Sequence, residues 1–282
     1  MTDVISPQAR IGSVHLAVRD LERETGFYER RIGLRASPTE GGATLSAGGE
    51  VLLRLWENPR ASLPRRTTGL YHLAILLPSR PWLARTLGHL IQSETPISGA
   101  SDHGVSEALY LSDPEGNGIE IYRDRPREEW SRDGDEVRMV VDPLDLEGLL
   151  AEAAPSAAWD GLPPETRIGH IHLHVRDIDE ARRFYVGVVG FQETARLATS
   201  ALFVSAGGYH HHVGLNTWNG VGAPAPPPGS QGLRHYDILL PDDGEVGRIA
   251  SRLRGAEISV EDGKEGLETA DPSGNRIVLR VG

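Results

Sequence analysis

Short apolar stretches that each carry one histidine punctuate the chain, as in Val14-His15-Leu16-Ala17-Val18 and Tyr71-His72-Leu73-Ala74-Ile75. Their length and apolar content predict strands. Each is followed by apolar residues at helical spacing: Leu21, Phe27-Tyr28 and Ile32 after the first, Trp82-Leu83, Leu87 and Leu90-Ile91 after the second. That is the stripe by which a helix covers a sheet. Residues 43–47 then lead through Gly48-Gly49 into 51–56, and residues 108–111 lead through Asp113-Pro114-Glu115-Gly116-Asn117 into 118–122. Both read as hairpins, with Gly, Asn and Pro supplying the turns. The predicted unit is therefore a strand, a helix and three further strands.

The second half of the chain repeats the first. Ile11-Gly12, His15, Arg19-Asp20, Phe27-Tyr28 and Gly33 return as Ile168-Gly169, His172, Arg176-Asp177, Phe184-Tyr185 and Gly190. Further on, Ala47-Gly48-Gly49 returns as Ala206-Gly207-Gly208, His72 as His235, and the Asp113-Pro114 turn with Gly116-Asn117 as Asp271-Pro272 with Gly274-Asn275. Such self-similarity signals duplicated units. The reading is an α+β protein of two tandem domains, at 8–126 and 166–282, each made of two such modules. Residues 127–165, rich in Arg, Glu, Asp, Ala and Pro, form a linker in which 137–150 can add a short strand and a helix. The Pro/Gly-rich segment 220–232 reads as a long surface loop.

Charge and composition narrow the partners. With 29 basic against 40 acidic residues the net charge is −11, and no basic run offsets it. Nucleic acid and anionic membrane surfaces are therefore poor partners. No apolar run approaches the ~20 residues of a membrane span, and the first ten residues lack the apolar core of a secretion signal, so the expected location is the cytoplasm. Absence of cysteine excludes disulfides, thiolate zinc sites and cysteine nucleophiles. Any metal must sit on His and carboxylate, and a small-molecule partner is favoured; a homo-oligomer is compatible with this composition.

Strand alternation then selects candidate ligands. His15 and Ala17 share one face while Val14, Leu16 and Val18 share the other; the same count puts His72 with Ala74, and Glu120 between Ile119 and Ile121. His15, His72 and Glu120 would make a two-histidine, one-carboxylate set suited to Fe(II). A core histidine held by hydrogen bonds is the competing reading for each ring. In the second half Val278 replaces Glu120, yet seven of the eleven histidines fall there, including His170, His172, His174 and the run His210-His211-His212. A His172, His235, His212 site is the second-half alternative, with Glu268 as a conceivable carboxylate and a hydrogen-bonded histidine ladder as the plainer explanation.

Taken together, Gly69-Leu70-Tyr71-His72, 105–110, Gly116-Asn117-Gly118-Ile119-Glu120-Ile121-Tyr122, 168–174 and 205–212 make the chain resemble the vicinal oxygen chelate superfamily of glyoxalases, bleomycin resistance proteins and extradiol dioxygenases. Within it, they look like bacterial catechol-2,3-dioxygenase-like proteins. The resemblance implies a curved, barrel-like mixed sheet with helices outside, closing around a metal. It matches His15, His72 and Glu120 to the three ligands, Tyr110 to a tyrosine that contacts substrate or bound oxygen, and His103 to the neighbourhood of a further site histidine. His211-His212 match an acid/base histidine pair, which makes His212 a catalytic candidate. Two departures stand out: the complete triad lies in the first half, where such enzymes use the second, and the first half has only Leu52-Leu53-Arg54 where the histidine pair belongs.

The resemblance implies an Fe(II)-dependent extradiol dioxygenase cleaving a catechol-like aromatic diol with dioxygen, with Mn(II) or another divalent metal as alternative cofactor. A glyoxalase-type isomerase or lyase would need a second carboxylate, and the strand at 51–56 has no centred acid. A non-catalytic, resistance-type ligand binder would want an aromatic-lined cavity, and Phe, Trp and Tyr are scarce.

Overall fold

The computed structural model describes residues 4–134, 136–153 and 159–282. Its elements follow the predicted order four times. The first two modules run Arg10–Val18, helix Leu21–Phe27, Arg35–Thr39, Gly42–Ser46, Val51–Glu57, and then Gly69–Leu77, helix Arg80–Gln92, Gly99–Asp102, Ser106–Ser112, Gly118–Asp124. The last two run Arg167–His174, helix Ile178–Arg182, Gln192–Leu197, Ala201–Ser205, Val213–Asn216, and then Gly232–Leu240, helix Asp243–Gly255, Glu261–Asp262, Leu267–Ala270, Arg276–Val281. The chain is thus α+β, as expected.

The first helix of each half ends alike. Asp20 and Asp177 accept N–H bonds from Arg23 and Glu180 at the N-cap, satisfying donors that a helix start leaves open. The last turn widens, with Gly33 N–H bonding Tyr28 C=O and Gly190 N–H bonding Tyr185 C=O. Both glycines are left-handed, at φ 88° and 97°, where a side chain would be strained.

Two compact units result, and they do not follow the linear halves. One comprises Met1–Ala17, Ala61–Tyr71 and Gly169–Gly282; the other comprises Val18–Arg60 and His72–Ile168. In the first unit the opening strand runs antiparallel to Gly232–Leu240, in a register that sets His15 opposite His235. Gly232–Leu240 also lies parallel to Arg276–Val281. In the same unit Arg167–His174 pairs in parallel with Val213–Asn216, which continues antiparallel through Ala201–Ser205 to Gln192–Leu197.

In the second unit the Gly69–Leu77 strand pairs in parallel with Gly118–Asp124, placing Ala74 opposite Glu120. Ser106–Ser112 continues that sheet antiparallel, placing Tyr110 opposite Glu120. Residues 99–102 follow, and then Asp142–Pro143 from the 127–165 segment. That segment is therefore partly built into a sheet, and it also carries the helix Leu146–Ala151, capped by Asp145. The apolar strand faces Leu73, Ile75, Leu109, Ile119 and Ile121 are buried with Leu83, Leu87 and Leu90 of the Arg80–Gln92 helix. The opposite face carries the polar residues considered next.

Candidate metal centre

Parity along three neighbouring strands brings chemistry to one face of the second unit. His72, Glu120 and Tyr110 share that face with Ala74, Ala108 and Tyr122, which pack together as a buried floor. Ala74 and Ala108 are small, so the larger polar groups are not crowded. His72 Nε2 lies 3.0 Å from Glu120 Oε2, and the two side chains are 8% and 4% exposed. A carboxylate this deeply removed from water needs a compensating positive charge. An imidazole nitrogen and a carboxylate oxygen aimed at one another are donors that a divalent transition cation accepts.

Tyr110 is tied into a relay. His103 Nδ1 lies 2.8 Å from the Val140 carbonyl, which makes Nδ1 the protonated nitrogen. Its Nε2 is then an acceptor, and the Tyr110 hydroxyl donates to it at 2.7 Å. The His72 and Tyr110 rings are 5.8 Å apart. Val140 N–H also bonds the His103 carbonyl, and neighbouring Asp102 is ion-paired with Arg125, so the loop bearing His103 is pinned on both sides. The 127–165 segment is thus what orients His103, a role the sequence did not disclose.

The predicted triad is divided between the units: His72 and Glu120 lie in the second, His15 in the first. In its own unit His15 stacks on His235, with ring centroids 3.8 Å apart. The Ser13 hydroxyl donates to Asp237 Oδ2 at 2.7 Å, so the 3.0 Å contact between Ser13 Oγ and His15 Nε2 has the imidazole as donor. Arg280 Nε and Nη2 bond the same Asp237 oxygen at 2.9 and 2.8 Å. Glu265 Oε2 stands 3.9 Å from His235 Nε2, and burial holds His235 below the usual histidine pKa.

The second-half alternative does not assemble. His235 is with His15 and Glu265, and none of the possible metal-holding groups among the described residues contains two of His172, His235 and His212. His172 lies over Gly214, where a side chain would collide with its ring, and packs against Tyr71, Phe203 and Trp218. His212 Nδ1 accepts the Ala206 N–H at 3.1 Å and its ring lies against Tyr209. It braces the hairpin after Ala201–Ser205, because the turn needs a buried acceptor there. Glu268 is engaged by Arg276 at 2.6 Å. Of the groups around His15, Asp237 and Ser13 were reachable from the same period-two count that selected His15 and His235. Glu265 sits in a turn, where periodicity carries no information.

Comparison with known proteins agrees with this fold. The glyoxalase/bleomycin resistance protein/dioxygenase superfamily model matches residues 10–121 and 167–279. The chain belongs to that superfamily. It is 49% identical over 284 residues to a protein of Bacillus subtilis (strain 168) named catechol-2,3-dioxygenase, covering 98% of this chain and 99% of the relative. Among solved structures, a candidate dioxygenase from Bacillus subtilis subsp. subtilis str. 168 superposes with a TM-score of 0.65 at 13% identity, over 99% of this chain and 86% of that one. Glyoxalase I from Zea mays superposes at 0.59 with 14% identity, over 96% and 92%. At such identities the structures speak for the superfamily fold. No helix among the described residues is long and apolar enough to cross a membrane.

Proposed function

We propose that this protein is a metal-dependent extradiol dioxygenase that opens the ring of a catechol-like aromatic diol with dioxygen. The observation that carries the reading is the buried His72–Glu120 pair, 3.0 Å apart, beside the Tyr110–His103 relay. The 49% identity to the catechol-2,3-dioxygenase of Bacillus subtilis along nearly the whole chain supports it independently. His72 and Glu120 fit as ligands to Fe(II), with Mn(II) as the alternative. A divalent cation bound there would supply Lewis-acid charge and a template for two vicinal hydroxyls and oxygen.

The chain's own residues do the rest. Tyr110 spends its proton on His103, so its oxygen can accept a hydrogen bond from a substrate hydroxyl. As that hydroxyl loses its proton to Tyr110 Oη, the tyrosine proton passes to His103 Nε2, and the Val140 carbonyl stabilises the doubly protonated ring through Nδ1. The Glu120 carboxylate keeps the face electronegative and holds His72 in orientation.

The test is anaerobic loading with Fe(II) or Mn(II), metal quantitation, then oxygen with a panel of catechols while following oxygen uptake and a coloured ring-fission product. Uptake of metal with formation of that product is expected. Failure of the wild-type protein to bind metal, or undiminished turnover in His72→Ala, would remove the proposal.

A further inference from the structure

We propose that His15, His235 and Glu265 form a second divalent-cation site, of the zinc type, distinct from the His72–Glu120 centre. One ligand atom from each residue lies within 4.8 Å of the others, close enough for the three to converge on one ion with small side-chain adjustments. The three come from separate segments: the opening strand, the strand antiparallel to it, and the turn before Leu267–Ala270.

Three features argue for a built site. First, His15 and His235 are direct cross-strand partners with rings 3.8 Å apart. Two imidazoles pressed together in a buried strand pair offer little to each other beyond dispersion, but they present two nitrogens to a common point. Second, His235 Nε2 is buried and makes no hydrogen bond, a cost that a ligand would offset. Third, an outer shell stands behind His15. Its ring N–H donates to Ser13, whose hydroxyl donates to Asp237, the arrangement by which carboxylates orient ligating histidines and raise their basicity. Asp237 is itself neutralised by Arg280, so the carboxylate grouped with the two imidazoles is that of Glu265.

Donor chemistry selects the ion. Two neutral imidazoles and one carboxylate suit zinc and the other late first-row cations better than calcium or magnesium, which want oxygen. Glu265 is partly exposed while His15 is buried, so a cation can be admitted from the turn side. Bound there, it would tie the opening strand, its partner strand and the following hairpin together.

Zinc and cobalt titrations of the metal-free full chain test this, read by metal count after dialysis, by the cobalt visible spectrum and by thermal shift. Two equivalents are expected in the wild type. His235→Ala should remove one. Glu265→Gln, at a turn where folding is not at stake, should weaken that same equivalent roughly tenfold and reduce its thermal shift. His72→Ala should keep it unchanged. A single wild-type equivalent that His72→Ala removes and His235→Ala keeps, or wild-type loading and spectra in both His235→Ala and Glu265→Gln, would overturn the proposal. So would His15→Asn and His235→Ala removing different equivalents, because the two rings would then serve different ions. A single wild-type equivalent that His235→Ala removes and His72→Ala keeps would instead remove the His72–Glu120 centre.

Discussion

Two pairs of facing positions on corresponding strands show how duplicated modules diverge. In the second unit Ala74 faces Glu120; in the first, the corresponding residues are Asp237 and Val278. The carboxylate has moved across one strand spacing. With it comes a change in how the charge is balanced: Arg280 bonds Asp237 through two nitrogens, while the position matching Arg280 beside Glu120 is Tyr122, a buried core residue. A carboxylate balanced by its own guanidinium is a structural brace. One set beside an imidazole, with tyrosine where the arginine would stand, is suited to take its positive charge from a bound cation.

Removing the charge tests that contrast most severely. Glu120→Gln keeps the shape and is expected to lose the metal equivalent at this centre and to lower ring cleavage on the order of 10³-fold; metal analysis with steady-state kinetics decides, and retained activity would make Glu120 a brace like Asp237. Next comes Tyr110→Phe, which removes the proton relay and leaves the ligands. It should cost about 10–100-fold in kcat with little change in KM, and the pH dependence of kcat should change in the same variant if His103 receives the proton. A loss confined to KM would make Tyr110 a packing residue.

From the other side, Arg280→Met should leave Asp237 buried without its partner and cost about 1–3 kcal/mol in denaturant unfolding, Arg280 being partly exposed, and Asp237→Asn in the same chain should recover most of it. Independence of the two changes would remove the brace.

A parallel divergence occurs at the two Asp-Pro-x-Gly-Asn turns and makes the smallest prediction. Asp113 accepts from Tyr28 and Asn117, and Asp271 from Tyr185 and Asn275. The second-half cluster is completed by the Tyr236 hydroxyl, 3.0 Å from Tyr185. The first half has Leu73 there, and it has buried Glu24 where the second half has Ala181. Burial, then Asp113 and Glu115, raise Glu24 to about 9 from an ordinary 4.5. The folded protein thus keeps a proton that the unfolded chain releases above about 4.5. Stability from this group is complete below that value and is lost as pH climbs towards about 9. Glu24→Gln, which cannot ionise, should gain about 1–2 kcal/mol on wild type at pH 8 and show a flatter alkaline stability curve in urea titrations. An unchanged slope would mean Glu24 is ionised when folded.

The four modules, their hairpins and the faces bearing His15, His72, Glu120, Tyr110 and His235 were all readable from the chain, because a strand's alternation and a turn's glycine are properties of a few adjacent residues. His103 was readable as a residue but not as a partner, since its orientation comes from Val140, beyond two strands. Which strands from distant segments lie beside one another was not readable. The opening strand pairs with Gly232–Leu240, so His15 meets His235, Asp237 and Glu265, because closing a sheet between distant segments depends on the whole set of buried faces and leaves no mark in local periodicity. Local chemistry named the candidate ligands; the pairing of strands far apart in the chain decided which of them come together.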